Sequence, residues 1–230
     1  MSPEEVCVII PGYNESKNIS RVVGSVKGLG FPVLVVDDGS TDDMSLQARK
    51  AGAEVVSYTP NQGKGVALRR GVEWFLTGSS LPAVIFMDSD GQHDPEDLPD
   101  FLKALDDPKS DLVIGNRMSD PRGMPFIRRL TNRFMSVILS LAAGQFVPDT
   151  QCGYRAARRE CLSRLQLKTT RFEIESEMIL EASRTGSKVA SIPVRSVYEG
   201  GTSHIHPIRD TVRFFQFLFG YLRKRRPISP

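Results

Sequence analysis

The sequence predicts an α/β protein with a mostly parallel sheet covered on both faces by helices, and three observations predict it. Short apolar, β-branched runs recur from Val6 to Ile114, stretches of helical period separate them, and polar clusters follow the runs. Runs that are apolar throughout suit strands buried on both faces, and parallel neighbours need a helical crossover.

The elements follow in order. Val6-Cys7-Val8-Ile9-Ile10 reads as a buried strand ended by Pro11-Gly12. Asn14 or Ser16 caps a helix to about Leu29, with Ile19, Val22, Val23 and Val26 on one face. Val33 to Val36 is the second strand, stopped by Asp37-Asp38-Gly39-Ser40, and a helix to about Ala51 leads to strand Glu54 to Ser57. Gly63 to Leu76 reads as a helix and Ala83 to Met87 as a buried strand. Asp94-Pro95 opens a helix ending near Leu105, and Asp111 to Ile114 is the next strand. The second half is more helical, with predicted helices at Pro125 to Gly144, Arg155 to Leu165, Glu173 to Thr185 and Pro207 to Arg223. One strand, Lys188 to Val194, interrupts them. No repeat or linker divides the chain, so residues 1–230 read as a single domain.

Composition narrows the class. A hydrophobic fraction of 40% and a charged fraction of 25% exclude disorder and fibrous repeats. With 30 basic and 27 acidic residues the net charge is only +3, and no nucleic-acid partner is expected. Basic residues gather after Arg117 and end in Arg223-Lys224-Arg225-Arg226. Cys7, Cys152 and Cys161 lack metal-type spacing. Free thiols without a signal-peptide pattern point to the cytoplasm. No apolar run reaches the roughly 20 residues that span a bilayer, and Phe134 to Val147 has the length of a core helix.

Parallel sheets bind ligands beyond the carboxyl ends of their strands. Tyr13-Asn14-Glu15, Asp37-Asp38, Asn61 to Lys64, Asp88 to Gln92 and Asn116-Arg117 each follow a strand or the loop after one. Alternation along extended chain puts the Asp88 and Asp90 carboxylates of Asp88-Ser89-Asp90 on one side, with Gln92 continuing the series. They can share a hard cation, Mg2+ or Mn2+, or divide metal and ribose between them; a solvated loop capping the next helix is the plainer alternative. Asp37-Asp38-Gly39-Ser40 offers acceptors to base and ribose, or is an ordinary Asp-Gly turn. Asn61-Gln62-Gly63-Lys64-Gly65 sets a lysine and helix N-terminal amides toward phosphate. It matches neither common glycine motif, because Leu68 replaces the third glycine of one and Gly65 the hydroxyl residue of the other. Arg117, Arg122, Arg128, Arg129 and Arg133 face an anion together or form a solvated basic helix face. His93 reads as a neighbour of the acidic loop, and His204 and His206 as surface residues without a third ligand.

Together, Ile10 to Glu15, Val36 to Ser40, Asn61 to Gly65 and Asp88-Ser89-Asp90-Gly91-Gln92-His93 resemble family 2 glycosyltransferases, and most closely the dolichyl- or polyprenyl-phosphate sugar synthases. Gly115-Asn116-Arg117, Asp149 to Arg155 and Phe172-Glu173-Ile174-Glu175 extend the resemblance, which runs from about Val6 to Val212. It implies a glycosyltransferase fold of the A type and inverting, metal-dependent transfer of a hexose from a GDP-mannose or UDP-glucose type donor to a polyprenyl or dolichyl phosphate. Residues 1–117 would then bind the nucleotide sugar and 118–230 the acceptor. Pro11, Tyr13, Glu15, Asp37 and Asp38 would hold the nucleoside, and Lys64, with Ser89 in the acidic loop, the rest of the donor. Asp88, Asp90 and Gln92 would hold Mg2+ or Mn2+; Arg117, Arg128 and Asn132 would meet the acceptor phosphate; Asp149 would lie near the transferred sugar. Ser203 and His204 also fall on the acceptor side, in Gly201-Thr202-Ser203-His204. There relatives carry Gly-x-Ser-Lys after an arginine, and this chain has His204 for the lysine and Tyr198 for the arginine. A sugar or small-molecule hydroxyl acceptor would instead require a base such as Asp149, and a nucleotide-sugar-binding module without turnover is the non-enzymatic alternative.

The last predicted helix is crowded with Val212, Phe214, Phe215, Phe217, Leu218, Phe219 and Leu222, directly before the basic tail. An apolar face joined to basic residues suits peripheral attachment to an anionic membrane surface; packing on the core is the other reading.

Overall fold

The computed structural model describes residues 1–195 and 207–224. The chain divides into two units, Met1–Glu199 and Gly200–Pro230. In the first, a seven-stranded sheet comprises β1 (Val6–Gly12), β2 (Val33–Asp37), β3 (Glu54–Ser57), β4 (Ala83–Phe86), β5 (Leu112–Asn116), β6 (Arg155–Arg158) and β7 (Val189–Pro193). Its helices are α1 (Ser16–Gly28), α2 (Met44–Lys50), α3 (Lys64–Gly78), α4 (Leu98–Asp106), α5 (Phe126–Ala143), α6 (Arg159–Arg164) and α7 (Glu173–Arg184). The second unit carries α8 (Pro207–Lys224).

The strand order is β3-β2-β1-β4-β6-β5-β7. The chain therefore builds outward from β1 to β3 and then returns to place β4 on the other side of β1. That reversal opens a crevice beyond the carboxyl ends of β1 and β4, where doubly wound sheets bind ligands. β1 pairs in parallel with β2 and β4, β2 with β3, and β5 with β7. The apolar runs form the centre of the core: Val8, Ile10, Val35, Ile85 and Ile114 have no exposed surface. On α1, Ile19, Val22, Val23 and Val26 are the buried residues, matching the expected face.

β1 continues past the expected stop at Pro11, with Pro11 opposite Val36 and Gly12 opposite Asp37. Proline lacks the N–H that a central strand needs on both sides. The β4 register ends at Ile9 opposite Phe86, so β1 pairs only with β2 where Pro11 stands.

The expected helix from Arg155 to Leu165 is corrected. Arg155–Arg158 is strand β6, antiparallel to both β4 and β5, and only Arg159–Arg164 is helical. Alanine and arginine favour helices in isolation. Ala156 and Ala157 are nevertheless fully buried between two strands, where ladder partners satisfy backbone groups that burial would otherwise leave unpaired.

Candidate active site

Every acidic cluster named from the sequence in the first half stands at a strand end, but the clusters are held differently. Asp37 and Asp38, at the end of β2, are buried. Asp38 accepts hydrogen bonds from the backbone N–H groups of Gln62 at 2.8 Å and Gly63 at 2.7 Å. Asp37 accepts from the Ser40 N–H at 2.8 Å and from the Ser45 hydroxyl. Both carboxylates thus fix loops that border the crevice. Beyond β1, Pro11 is buried and Tyr13 exposed, while Glu15 accepts from the Asn18 amide at 2.8 Å.

Lys64 opens α3, and its ammonium lies 2.6 Å from Asp88 Oδ1 and 2.8 Å from Glu175 Oε1. Burial alone would lower the Lys64 pKa. The two carboxylates outweigh it and hold the ammonium protonated well above the usual lysine range. Burial likewise works against the Asp88 carboxylate, yet the Lys64 ammonium drives its pKa well below the ordinary range, with a smaller contribution from Arg117. Asp90 moves the other way, raised by burial and then by the negative charge of Asp88. Its Oδ1 accepts from the Gln92 N–H at 2.9 Å. Ser89, between them, is buried.

His93 is a support for this loop. Its Nδ1 accepts the Asp88 N–H at 3.1 Å, which puts the imidazole proton on Nε2. The ring stacks on Tyr154 with centroids 4.7 Å apart and planes 8° apart. Burial depresses its pKa despite Asp88 and Asp90, so it is neutral.

The other half of the crevice carries a second pair. At the end of β5, Arg117 donates from Nε to Asp149 Oδ2 at 2.8 Å and from Nη2 to Oδ1 at 3.0 Å, and its backbone N–H also reaches Oδ2 at 3.1 Å. This bidentate fork is fully buried on the Asp149 side and fixes the plane of the guanidinium. The next residue, Thr150, is tied to α5, since its N–H reaches the Ser136 hydroxyl at 2.9 Å. Asn132 is buried on that helix and Arg128 half-buried. Ser203 and His204 lie outside the described residues.

Three positions that the structure brings to this cluster were not singled out by sequence reasoning. Glu175 on α7 anchors Lys64. Arg155 is buried and donates to the carbonyls of Cys152 at 2.6 Å, Thr150 at 2.8 Å and Glu175, tying the Asp149 loop to the start of α7. Gly153 faces the charged cluster: a Cβ there would lie 2.8 Å from Asp88 Oδ2 and 3.1 Å from both Glu175 Oε1 and Lys64 Nζ. The legible signal was Phe172-Glu173-Ile174-Glu175, where a carboxylate falls among the buried residues Ile174, Met178 and Ile179.

Gly65 has an architectural explanation. A Cβ on it would come within 2.6 Å of the Thr170 carbonyl carbon, and its N–H donates to Thr170 O at 3.0 Å. The segment that presses on α3 is held in turn by Glu177, which accepts from the N–H groups of Lys168 and Thr169 at 2.9 Å each. Cys7 and Cys152 are buried thiols whose pKa values burial pushes up to about 12, which makes them poor nucleophiles.

Whether the donor set suits a divalent cation is tested by its chemistry. Asp88 and Asp90 offer hard carboxylate oxygens, and the absence of a side chain on Gly153 lets its backbone lie close to Asp88 Oδ2, where a Cβ would clash at 2.8 Å. Among the described residues no three His, Cys, Asp or Glu side chains converge as a cage. Two carboxylates, with no third such ligand beside them among the described residues, fit Mg2+ or Mn2+, which take part of their coordination from substrate or water.

Comparison with known proteins places this geometry. Residues 7–166 match the family model for glycosyl transferase family 2. The chain is 34% identical over 233 residues to Glycosyltransferase AglJ of Haloferax volcanii, covering 99% of this chain and 75% of that protein. It is 30% identical over 205 residues to Polyprenol monophosphomannose synthase of Mycolicibacterium smegmatis, covering 83% and 77%. A UDP-N-acetylglucosamine–dolichyl-phosphate N-acetylglucosaminyltransferase of Methanococcus voltae is 28% identical over 86% of this chain and 88% of its own length. Among solved structures, glucosyl-3-phosphoglycerate synthase from Mycobacterium tuberculosis, in complex with Mn2+, UDP and phosphoglyceric acid, superposes with a TM-score of 0.72 at 25% identity. The match covers 98% of this chain and 79% of that one. The mostly parallel sheet flanked by helices is thus the A-type fold of a glycosyltransferase, and the chain belongs to glycosyl transferase family 2.

Proposed function

We propose that this glycosyltransferase moves a hexose from a nucleotide sugar of the GDP-mannose or UDP-glucose type to a polyprenyl or dolichyl phosphate, with inversion and with Mg2+ or Mn2+. The observation that carries the acceptor class is the Arg117–Asp149 fork. A hydroxyl acceptor needs a base, and Asp149, the carboxylate in position for that, is fully buried and bound at both oxygens by Arg117. A phosphate oxygen is already anionic and needs only aiming, which an oriented guanidinium supplies. The relatives named for polyprenol and dolichyl phosphate support the same class.

In this reading residues 1–117 bind the donor. Tyr13 and Glu15 approach the nucleoside, and Asp37 and Asp38 shape its wall by holding the loops around it. Asp88 and Asp90, with Gln92 beside them, would hold the cation, which when bound neutralises charge on the leaving diphosphate. Lys64 adds a fixed positive charge at the same place, kept protonated by Glu175 and Asp88. On the acceptor side Arg117, with Arg128 and Asn132, orients the phosphate for a single in-line displacement at the anomeric carbon, hence inversion. Residues 118–230 take that role, Ser203 and His204 included. No helix among the described residues is long and apolar enough to cross a membrane. Attachment beside a lipid acceptor, in this reading, is peripheral and on the cytoplasmic side, with the basic residues from Arg223 to Arg226 contributing.

The test is an acceptor comparison. Radiolabelled UDP- and GDP-hexoses are incubated with the enzyme, Mn2+ and either polyprenyl phosphate, 3-phosphoglycerate or no acceptor. Label entering the organic phase only with polyprenyl phosphate supports the reading. Label passing to phosphoglycerate, or only to free hexose, overturns it.

A further inference from the structure

Helix α5 is apolar on two opposite sides. Met135 and Leu139, with Asn132 and Ser136, form the buried side. Phe126, Ile127, Leu130, Phe134, Val137 and Leu141 are all at least half exposed, from 50% at Val137 to 78% at Leu141. At 3.6 residues per turn these six project within an arc of about 100°, opposite the buried side. Phe146, just after the helix, adds a further side chain that is 79% exposed. A continuous exposed apolar stripe of this length marks an interaction surface.

Charge selects the partner. From Pro121 to Phe146 there is no Asp or Glu, while Arg122, Arg128, Arg129 and Arg133 all lie in the first half of this stretch. Arg129 and Arg133 are exposed and, on the same helical count, flank the apolar arc on one side. A two-fold contact between copies through this helix would meet the arginines with a segment that has no carboxylate and leave those charges unmatched. An anionic lipid surface satisfies both parts, taking the apolar arc into the acyl boundary and the arginines to its phosphates.

The inner side of the same helix leads to the site. Ser136 holds Thr150, and the preceding residue, Asp149, holds Arg117. We propose that α5 lies in the membrane interface as the docking element of the folded body, outer face in lipid and inner face supporting the acceptor-side residues. The inference rests on the lipid-phosphate reading and deepens it, since it makes a helix inside the catalytic unit the docking element in addition to the C-terminal segment.

The experiment is flotation of the full chain with phosphatidylcholine vesicles, with and without phosphatidylglycerol. The outer face is changed by Leu130→Gln, Val137→Gln and Leu141→Gln together, and in a second variant the charge by Arg129→Gln and Arg133→Gln. All five positions are exposed, so circular dichroism and the thermal shift produced by UDP or GDP with Mn2+ should match the unsubstituted protein. The apolar variant is expected to lose at least about tenfold in vesicle partitioning. The charge variant should lose about tenfold on phosphatidylglycerol vesicles and little on neutral ones. Undiminished flotation of the apolar variant overturns the proposal. So does a dimer, seen by analytical ultracentrifugation of the unsubstituted protein, that the apolar variant dissolves without change in flotation. If flotation depends on α5 but label never reaches polyprenyl phosphate, docking stands and the acceptor reading alone falls.

Discussion

Asp37 and Asp38 close β2, and Asp88 and Asp90 follow β4, so two pairs of carboxylates flank the end of β1 from opposite sides. They are put to different uses. The first pair is buried and bonded to backbone N–H groups and hydroxyls of its own loops. The second is only partly buried: the Asp88 carboxylate is paired with the Lys64 ammonium, which Glu175 also holds, while Asp90 accepts from the Gln92 N–H and feels the charge of Asp88. Charge-assisted bonds to backbone stiffen a wall. A cluster of charges tuned by one another is what responds when a charged ligand arrives. The comparison teaches that similar acidic motifs at neighbouring strand ends separate by their partners.

The largest effect should follow from breaking the second pair. Asp90→Asn is expected to lower kcat by at least about 100-fold, as loss of a key electrostatic group does, with the melting temperature unchanged or slightly raised. Activity within a few-fold of the unsubstituted enzyme would remove Asp90 from the chemistry. Glu175→Gln comes next. Lys64 then keeps only Asp88 of its two carboxylate partners and turns further toward it, so steady-state kinetics should show kcat lower by roughly tenfold. An unaltered kcat would reduce Glu175 to packing.

Arg117→Lys keeps charge but removes the fork onto Asp149. It should cost about 1–2 kcal/mol in kcat/KM for the acceptor while leaving donor affinity by calorimetry unchanged. A collapse of donor affinity would move Arg117 to the diphosphate side. The smallest functional effect belongs to the first pair. Asp38→Asn gives up one charge-assisted bond to the Gln62–Gly63 backbone. The expected cost is about 1 kcal/mol, hence a melting temperature lower by about 2–4 °C, with kcat changed less than about threefold. If Asp38→Asn instead abolished turnover at full stability, the contrast between the pairs would be wrong.

Much of this was legible before any coordinates. Each acidic cluster follows an apolar run, and a parallel sheet sends the ends of such runs to one edge, so the crevice could be placed from spacing alone. What was hidden depends on distant partners. Lys64 and Glu175 are 111 residues apart, and a glutamate at the start of a helix reads as a solvated residue until its partner is known. β6 was hidden because Ala156 and Ala157 carry helical propensity, and only the flanking β4 and β5 decide otherwise. The outer face of α5 was hidden because periodicity shows that a stripe is apolar without showing which of two stripes meets the core.

The account turns on a cation held at Asp88 and Asp90, and one measurement tests that directly. Transfer of labelled hexose to polyprenyl phosphate is followed with Mn2+, with Mg2+, and after EDTA treatment with the metal then restored. The prediction is organic-phase label with either metal, a fall to about 1% or less in EDTA, and recovery when Mn2+ is returned. Equal transfer in EDTA would contradict the account and leave Lys64 and Arg117 as the sole electrostatic catalysts.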